Sequence, residues 1–395
     1  MLTYREVFRV PQFGALFTTG ALQGAAATTG QLALGVLVFS STGSPLLSAL
    51  SMFGSSLAQL AGATLLMSAA DRLPPRAALS CAALAFGACT AVLALPGLPL
   101  VLVFAVVLGE GVVAAVTGGV RYGLLGEILP RDGYLLGRSV LNMCSGTMQI
   151  VGYALGGVLV AALSPRGTLL VAAALYAAGA AAAGLGLAHR PARVTGRPSV
   201  RETSRTNALL WSSAPRRHVY LSLWLPNGLV VGCESLFVPY MPDRAGLLFA
   251  CAAFGMLIGD TVTGRLLPAR WRGRLGIPLL LLLAAPYLLF ALRPGLPWAL
   301  ALAALASTGF SASLLFQERL MALTPDAAAG QALGLHASGM LALQGIAAAL
   351  AGTVARWTSP AAAMAVMAAA SALATLCLAP GLVRERARST VRPVT

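Results

Sequence analysis

Four acidic residues interrupt long apolar stretches of the chain: Glu110, set between Gly109 and Gly111, then Glu234, Asp260 and Glu318. An ionised carboxylate at the centre of a bilayer costs about 2.5–3.5 kcal/mol on insertion scales, so each of these needs a reason to be there. One reason is transport chemistry. Low-dielectric surroundings disfavour the ionised form of a carboxyl group, so it can take up and release a proton. When ionised, it attracts a cationic solute. Proton and solute then compete for one cavity, and that competition couples proton entry to export. The other reason is structural: a neutral acid hydrogen-bonded in a helix contact, or an acid held by a nearby base.

The neighbours of each acid weigh the two reasons. Asn227 precedes Glu234 by seven residues, which puts both on one helix face. Pro226 and Pro239 flank them and would loosen that helix. Glu234 and Asn227 are therefore candidates for a substrate or proton site. Glu110 has the right depth for the same role, with a neutral helix-contact acid as the competing reading. Asp260 lies five residues before Arg265, so a structural ion pair competes equally with function. Glu318, beside Arg319, reads as an interfacial, paired acid.

The elements that must hold these residues follow from composition. The chain has 395 residues, is 58% hydrophobic and 10% charged, and has a mean hydropathy of +0.82. A soluble domain carries about 25% charged residues to cover its surface. A soluble enzyme, a disordered chain and a disulfide-stapled secreted scaffold are excluded. A membrane helix needs about 20 apolar residues. Twelve runs qualify. The first six are residues 13–39, 45–70, 77–95, 98–120, 139–163 and 168–188. The second six are 218–240, 245–267, 275–292, 298–320, 336–355 and 361–379. Their continuity excludes a membrane β-barrel, whose strands alternate. The apolar run after Arg5 and Arg9 is too long for a signal peptide and reads as a retained first helix.

All 27 basic residues other than histidine are arginine. With the N-terminus inside, 23 arginines fall on inner segments and four, Arg166, Arg244, Arg293 and Arg356, on outer ones. That bias predicts both termini in the cytoplasm. It also removes nucleic acid as a partner, since the charge follows topology and forms no patch. The predicted organisation is a six-helix bundle (1–188), a basic cytoplasmic linker (189–217), a second six-helix bundle (218–379) and a cytoplasmic tail (380–395). The linker's composition predicts a segment lying on anionic headgroups, with a short interfacial turn at 207–211. The six cysteines lie in apolar runs without metal-ligand spacing and read as small buried apolar residues; no metal or cofactor is expected. His336 reads as a local hydrogen-bonding group. Motifs of serine hydrolases, zinc proteases and phosphate-binding loops are missing, so no enzyme is expected.

The loop Asp71-Arg72-Leu73-Pro74-Pro75-Arg76 resembles, in part, the loop between spans two and three of the major facilitator superfamily. The stretch Arg121 to Pro130, the run Gly152-Tyr153-Ala154-Leu155-Gly156-Gly157, and Gln331 to Leu335 after Pro325-Asp326 resemble motifs of its drug and macrolide exporters, with Tyr153 where those exporters have proline. The resemblance implies an all-α fold of two pseudo-symmetric six-helix bundles. It implies gate roles for Asp71 and Arg72, with Arg76 and Arg121 as their partners, and an antiporter-like packing motif at Gly152, Tyr153, Gly156 and Gly157. Spans one, four, seven and ten line the cavity in that family. Gln23 and Gln31 are then ligand candidates, with interhelical hydrogen bonding as the competing reading. The implied activity is proton-coupled efflux of a small hydrophobic or cationic molecule by a monomer in a bacterial inner membrane. Import of a small solute and a non-transporting sensor are the alternatives. Against import of a polar nutrient, the sequence places no arginine within a span.

Overall fold

The computed structural model describes residues 4–66, 74–191, 200–325 and 328–391. Among them every regular element is helical. The chain falls into two compact units, Met1–Arg197 with Met241–Ala250, and Pro198–Tyr240 with Cys251–Thr395.

The first unit opens with the short helix α1 (Tyr4–Phe8) and continues with α2 (Pro11–Thr42), α3 (Pro45–Leu66), α4 (Pro75–Leu93), α5 (Leu100–Ile128), α6 (Arg131–Leu163) and α7 (Pro165–Gly186). Proline starts most of them at the first helical turn, where its missing N–H costs nothing. Gly43 ends α2 in the left-handed conformation (φ 62°), donating its N–H to the Phe39 carbonyl at 2.8 Å. Helix α2 packs on α6 and α7, α3 on α5, and α4 on α7. Two apolar clusters sit at different levels along α2. One holds Phe13 and Leu16 with Leu124 and Leu125, and the other Leu34 and Val38 with Leu93 and Val103. The level between them mixes apolar residues with the polar side chains Gln23, Gln31, Thr90 and Glu110.

The second unit holds α8 (Val200–Ser212), α9 (Ala214–Glu234), α10 (Phe237–Tyr240), most of α11 (Ala245–Thr261), α12 (Ala269–Leu288), α13 (Leu296–Thr308), α14 (Ala312–Ala322), α15 (Ala329–Trp357) and α16 (Pro360–Val391). Helix α9 is central here and packs on α15 and α16. Helices are interrupted more often than in the first unit. Residues 235–236 separate α9 from α10, a π-helical turn (Val262–Leu266) ends α11, and a 3-10 turn (Gly309–Ser311) divides α13 from α14.

A helix lies at each of the twelve expected runs. Among the described residues ten helical stretches are long and apolar enough to cross a membrane by length and composition, and α3 and α5 lie at the two remaining runs. Large apolar side chains such as Val101, Leu185 and Trp357 stand fully outward, as lipid-facing positions do.

Several boundaries differ from the sequence reading. Helix α5 does not stop at Val120 but runs to Ile128, so Arg121 lies inside a helix rather than in a loop. Helix α6 starts at Arg131, eight residues before the expected start, because Pro130 presets the entry to its first turn. The expected turn at 207–211 is part of α8, and α16 continues through Pro380 to Val391, where a tail was expected. Cys144 and Cys233 are buried, but Cys81 and Cys377 face outward; all six are free.

Candidate functional site

This level of the first unit borders a half-open cavity of about 260 Å³. Helix α5 supplies Glu110, Thr117 and Arg121 to its wall, α2 supplies Gln23 and Gln31, and α7 supplies Tyr176. Eleven residues separate Glu110 from Arg121. At 3.6 residues per turn that is close to three turns, so both side chains leave the same face of α5. Their charges therefore sit at two depths of one cavity, with the carboxylate toward the Leu93 end and the guanidinium toward Gly20. Glu110 is half-buried and accepts a hydrogen bond from the Thr90 hydroxyl at 3.4 Å. That distance is long for O–H···O, so the contact orients the carboxylate more than it satisfies it.

The glycines around Glu110 are not equivalent. Gly111 faces α3 so closely that an added Cβ would overlap the Ser55 carbonyl oxygen, while Gly109 has nothing within 4 Å. Gly111 thus lets α5 approach α3 and fixes the rotation that turns Glu110 inward. Gln31 accepts from the Tyr153 hydroxyl at 3.4 Å, so it has a helix-contact role as well as a place in the cavity wall. Gln23 lies against Gly179 and also lines the cavity.

Arg121 is the main correction to the sequence reading. It was expected at the inner end as a gate partner, and no arginine was expected within a span. It lies in the cavity wall, packed against Gly20. A hydropathy reading ends a span at its first charge, whereas the helix is carried on by leucines and small residues to Ile128. Of the other expected gate residues, Arg76 stands in the first turn of α4, and Asp71 and Arg72 lie outside the described residues.

The glycine motif of α6 is a packing surface within the first unit. A Cβ at Gly152 would overlap the Thr28 hydroxyl, Gly156 lies against Thr29 and Leu32, and Gly157 against Gly246. The Thr29 hydroxyl donates to the Gly152 carbonyl at 3.0 Å. Tyr153 stacks on Phe249 with ring centroids 4.6 Å apart.

In the second unit Glu234 is the last residue of α9. Pro239 has no N–H for the Ser235 carbonyl and its ring crowds that oxygen, so the helix breaks immediately after Glu234. Pro226, by contrast, stays within α9, and its carbonyl accepts from the Ser371 hydroxyl at 3.0 Å. Glu234 Oε1 accepts from Ser307 at 3.3 Å and from Tyr287 at 3.5 Å. Ser307 stands two residues before the break between α13 and α14. There Gly309 lets α12 come so close that an added Cβ would lie within 2.7 Å of Leu283. Two interrupted helices thus meet at one carboxylate. Asn227, fully buried, is in a different group: its amide donates to the Leu223 carbonyl and, at 3.3 Å, to Ser313, and its Oδ1 has no partner among the described residues.

Asp260 is half-buried near the end of α11, and no ion pair joins it to Arg265 among the described residues. Glu318 is an exposed partner of Arg272 at 3.8 Å rather than of Arg319, which donates to the Leu382 carbonyl. His336 is half-buried with Nδ1 unpartnered, and only its backbone carbonyl is engaged, by Trp224. Among the described residues no group of His, Cys, Asp and Glu could hold a metal ion.

Two helical units built largely of long apolar helices, with polar and acidic side chains inside the bundles, define a multi-pass helical membrane protein. The chain belongs to the Major Facilitator Superfamily, whose sequence profile matches residues 12–316. Solved structures with this fold include the nucleoside transporter NupG, at TM-score 0.76 and 14% identity over 93% of this chain and 99% of that one. A POT family transporter in complex with a thioalcohol conjugated peptide superposes at TM-score 0.73 and 12% identity, covering 94% of this chain and 96% of that one. A bacterial homologue of the human lysosomal transporter Spinster does so at TM-score 0.65 and 15% identity, over 94% and 93%. These identities speak for the fold alone. No curated protein sequence matches the chain. The family makes the protein a secondary transporter of a small molecule; it fixes neither substrate nor direction.

Proposed function

We propose that the protein exports a small solute bearing a cationic group in exchange for protons, by alternating access. Glu110 carries the reading: it is an acid set mid-helix, facing a half-open cavity, and no ion pair joins it among the described residues. Its ionised form attracts the cation and its protonated form releases it. Glu234, at the meeting of two broken helices, is the second proton-exchanging group. Interrupted helices at an ionisable residue are the arrangement by which transporters open around a site. Export follows from the resemblance of the α5–α6 segment to drug and macrolide exporters. Asp71 and Arg72 keep their gate role by the same resemblance. The arginine bias supports a cytoplasmic position for both termini, and the resemblance to bacterial exporters supports a bacterial inner membrane. The described residues of a single chain line the cavity, which supports a monomer.

The cavity is smaller than the roughly 300–1,000 Å³ pockets that hold drug-sized ligands. Small solutes are favoured over macrolides. The test is efflux from an efflux-deficient bacterial host producing the protein, with ethidium, norfloxacin and erythromycin as probes, with and without a proton uncoupler. Expected is uncoupler-sensitive export of norfloxacin but not erythromycin, with ethidium exported less than norfloxacin, and with norfloxacin export falling at least tenfold in Glu110→Gln and Glu234→Gln at equal membrane abundance. Export that survives the uncoupler, or that is unchanged in Glu110→Gln, overturns the proposal.

A further inference from the structure

The cavity that holds Glu110 also holds a fixed positive charge, and the two together select a narrower chemistry than either alone. Glu110 and Arg121 are the charged side chains in its wall among the described residues; the rest is polar-neutral or apolar, with Gln23, Gln31, Thr90 and Tyr176 prominent. The formal charge of the lining is therefore zero. A simple cation entering it gains from Glu110 and loses to Arg121, and a simple anion the reverse. Neither is concentrated there. A solute carrying both charges gains at both ends, and each end of the wrong sign is repelled.

The spacing adds a shape requirement. The α-carbons of Glu110 and Arg121 are about 16 Å apart along α5, at 1.5 Å rise per residue. Flexible side chains shorten the gap between their charged ends but do not close three turns of helix. Two charges borne on one carbon, as in a free α-amino acid, reach only one end. The cavity follows this axis: its wall runs along α2 from Gly20, against Arg121, to Leu34 near Leu93 and Val107. A guanidinium offers a planar pair of donors that fits a carboxylate or phosphate two-point, so the far end of the solute is an oxyanion.

We propose that the transported solute is an extended amphoteric molecule, its ammonium group held at Glu110 and its carboxylate or other oxyanion at Arg121. This rests on the reading of Glu110 as the cation-binding acid and assigns Arg121, expected from sequence at a gate, to substrate selection.

The test is ligand-induced thermal stabilisation of the purified full-length protein in lipid nanodiscs, which reads binding without regard to direction or coupling. The probes are trialanine, its C-terminal amide, its N-acetyl form, the doubly capped form and free alanine. Trialanine is expected to bind at least tenfold more tightly than either singly capped form, and alanine to bind weakly. Arg121→Gln should erase the preference for trialanine over its amide and leave the preference over N-acetyl-trialanine. Glu110→Gln should do the converse. Arg121→Lys keeps the charge without the planar fork and should retain part of the carboxylate preference, which separates lost recognition from lost folding. If the amide binds as well as trialanine and both depend on Glu110, the amphoteric proposal falls and the cation site stands. If Arg121→Gln keeps full discrimination, Arg121 is not the oxyanion group and the proposal falls. Probes that bind nowhere, or bind independently of Glu110, overturn both.

Discussion

A methyl group added at Gly111 would overlap the Ser55 carbonyl and come within 2.8 Å of the Ala58 side chain, whereas one added at Gly109 meets nothing. The two positions flank the same acid and are expected to respond in opposite ways. Overpacking costs about 1–3 kcal/mol, so Gly111→Ala should lower the melting midpoint and reduce transport by rotating Glu110. At Gly109 only helix propensity changes, by up to about 1 kcal/mol in favour of alanine, so Gly109→Ala should melt at the same or a higher temperature with flux intact. Differential thermal unfolding in nanodiscs reads both, and equal losses at the two positions would contradict the described packing. Glu110 and Glu234 were legible in the sequence because an acid in an apolar run is costly and conspicuous. Their partners were not. Thr90 is 20 residues from Glu110 and Ser307 is 73 from Glu234, and only helix packing brings them together. Arg121 was misplaced because a charge was read as the end of a span when the helix continues for seven residues beyond it.

The broken helices of the second unit carry the element-scale expectations. Pro239→Ala would supply the N–H that the Ser235 carbonyl lacks, allowing α9 and α10 to join. Hydrogen exchange at residues 235–240 should slow and turnover should fall. Unchanged exchange would mean that Pro239 does not cause the break. The loosening prolines were visible in the sequence, but which of them breaks the helix was not: Pro226 lies within α9, whereas α9 ends at Glu234, five residues before Pro239. The linker holds a further element that composition disguised. Helix α8 is charged and polar for most of its length, which reads as a headgroup-bound coil, yet it docks on the second unit. Leu210 is buried, Asn207 accepts from Gln331 at 2.7 Å, and Trp211 stacks on Trp224 with centroids 5.5 Å apart. Arg216 caps the arrangement, donating to the carbonyls of Leu209 and Leu210 at the end of α8 and of Leu323 at the end of α14. Positive charge is favoured at both of those helix ends. Trp211→Ala should release α8, and trypsin should then cut after Arg205 faster than in the wild type. An unchanged cleavage rate would show that the stack does not hold the helix.

At the scale of the molecule the arginine distribution makes a topological prediction. A fluorescent reporter fused at the C-terminus should fluoresce in cells, and alkaline phosphatase fused at the same point should be inactive, because both reporters would be cytoplasmic. The reverse pattern would invert the assigned orientation and turn export into import for the same cycle. The fold class was readable at this scale since twelve continuous apolar runs and a one-sided charge bias are whole-chain properties. The more frequent interruption of helices in the second unit was not, because it depends on where close contacts form. The indole pair of that second unit has an optical consequence. Trp211 and Trp224 lie with their planes only 10° apart, in a chain with five tryptophans. Two chromophores so close and so nearly parallel couple electronically and quench one another. The near-ultraviolet dichroism and emission of the unlabelled protein should therefore report whether the linker is seated, giving a native spectroscopic gauge of its position as solutes and protons come and go.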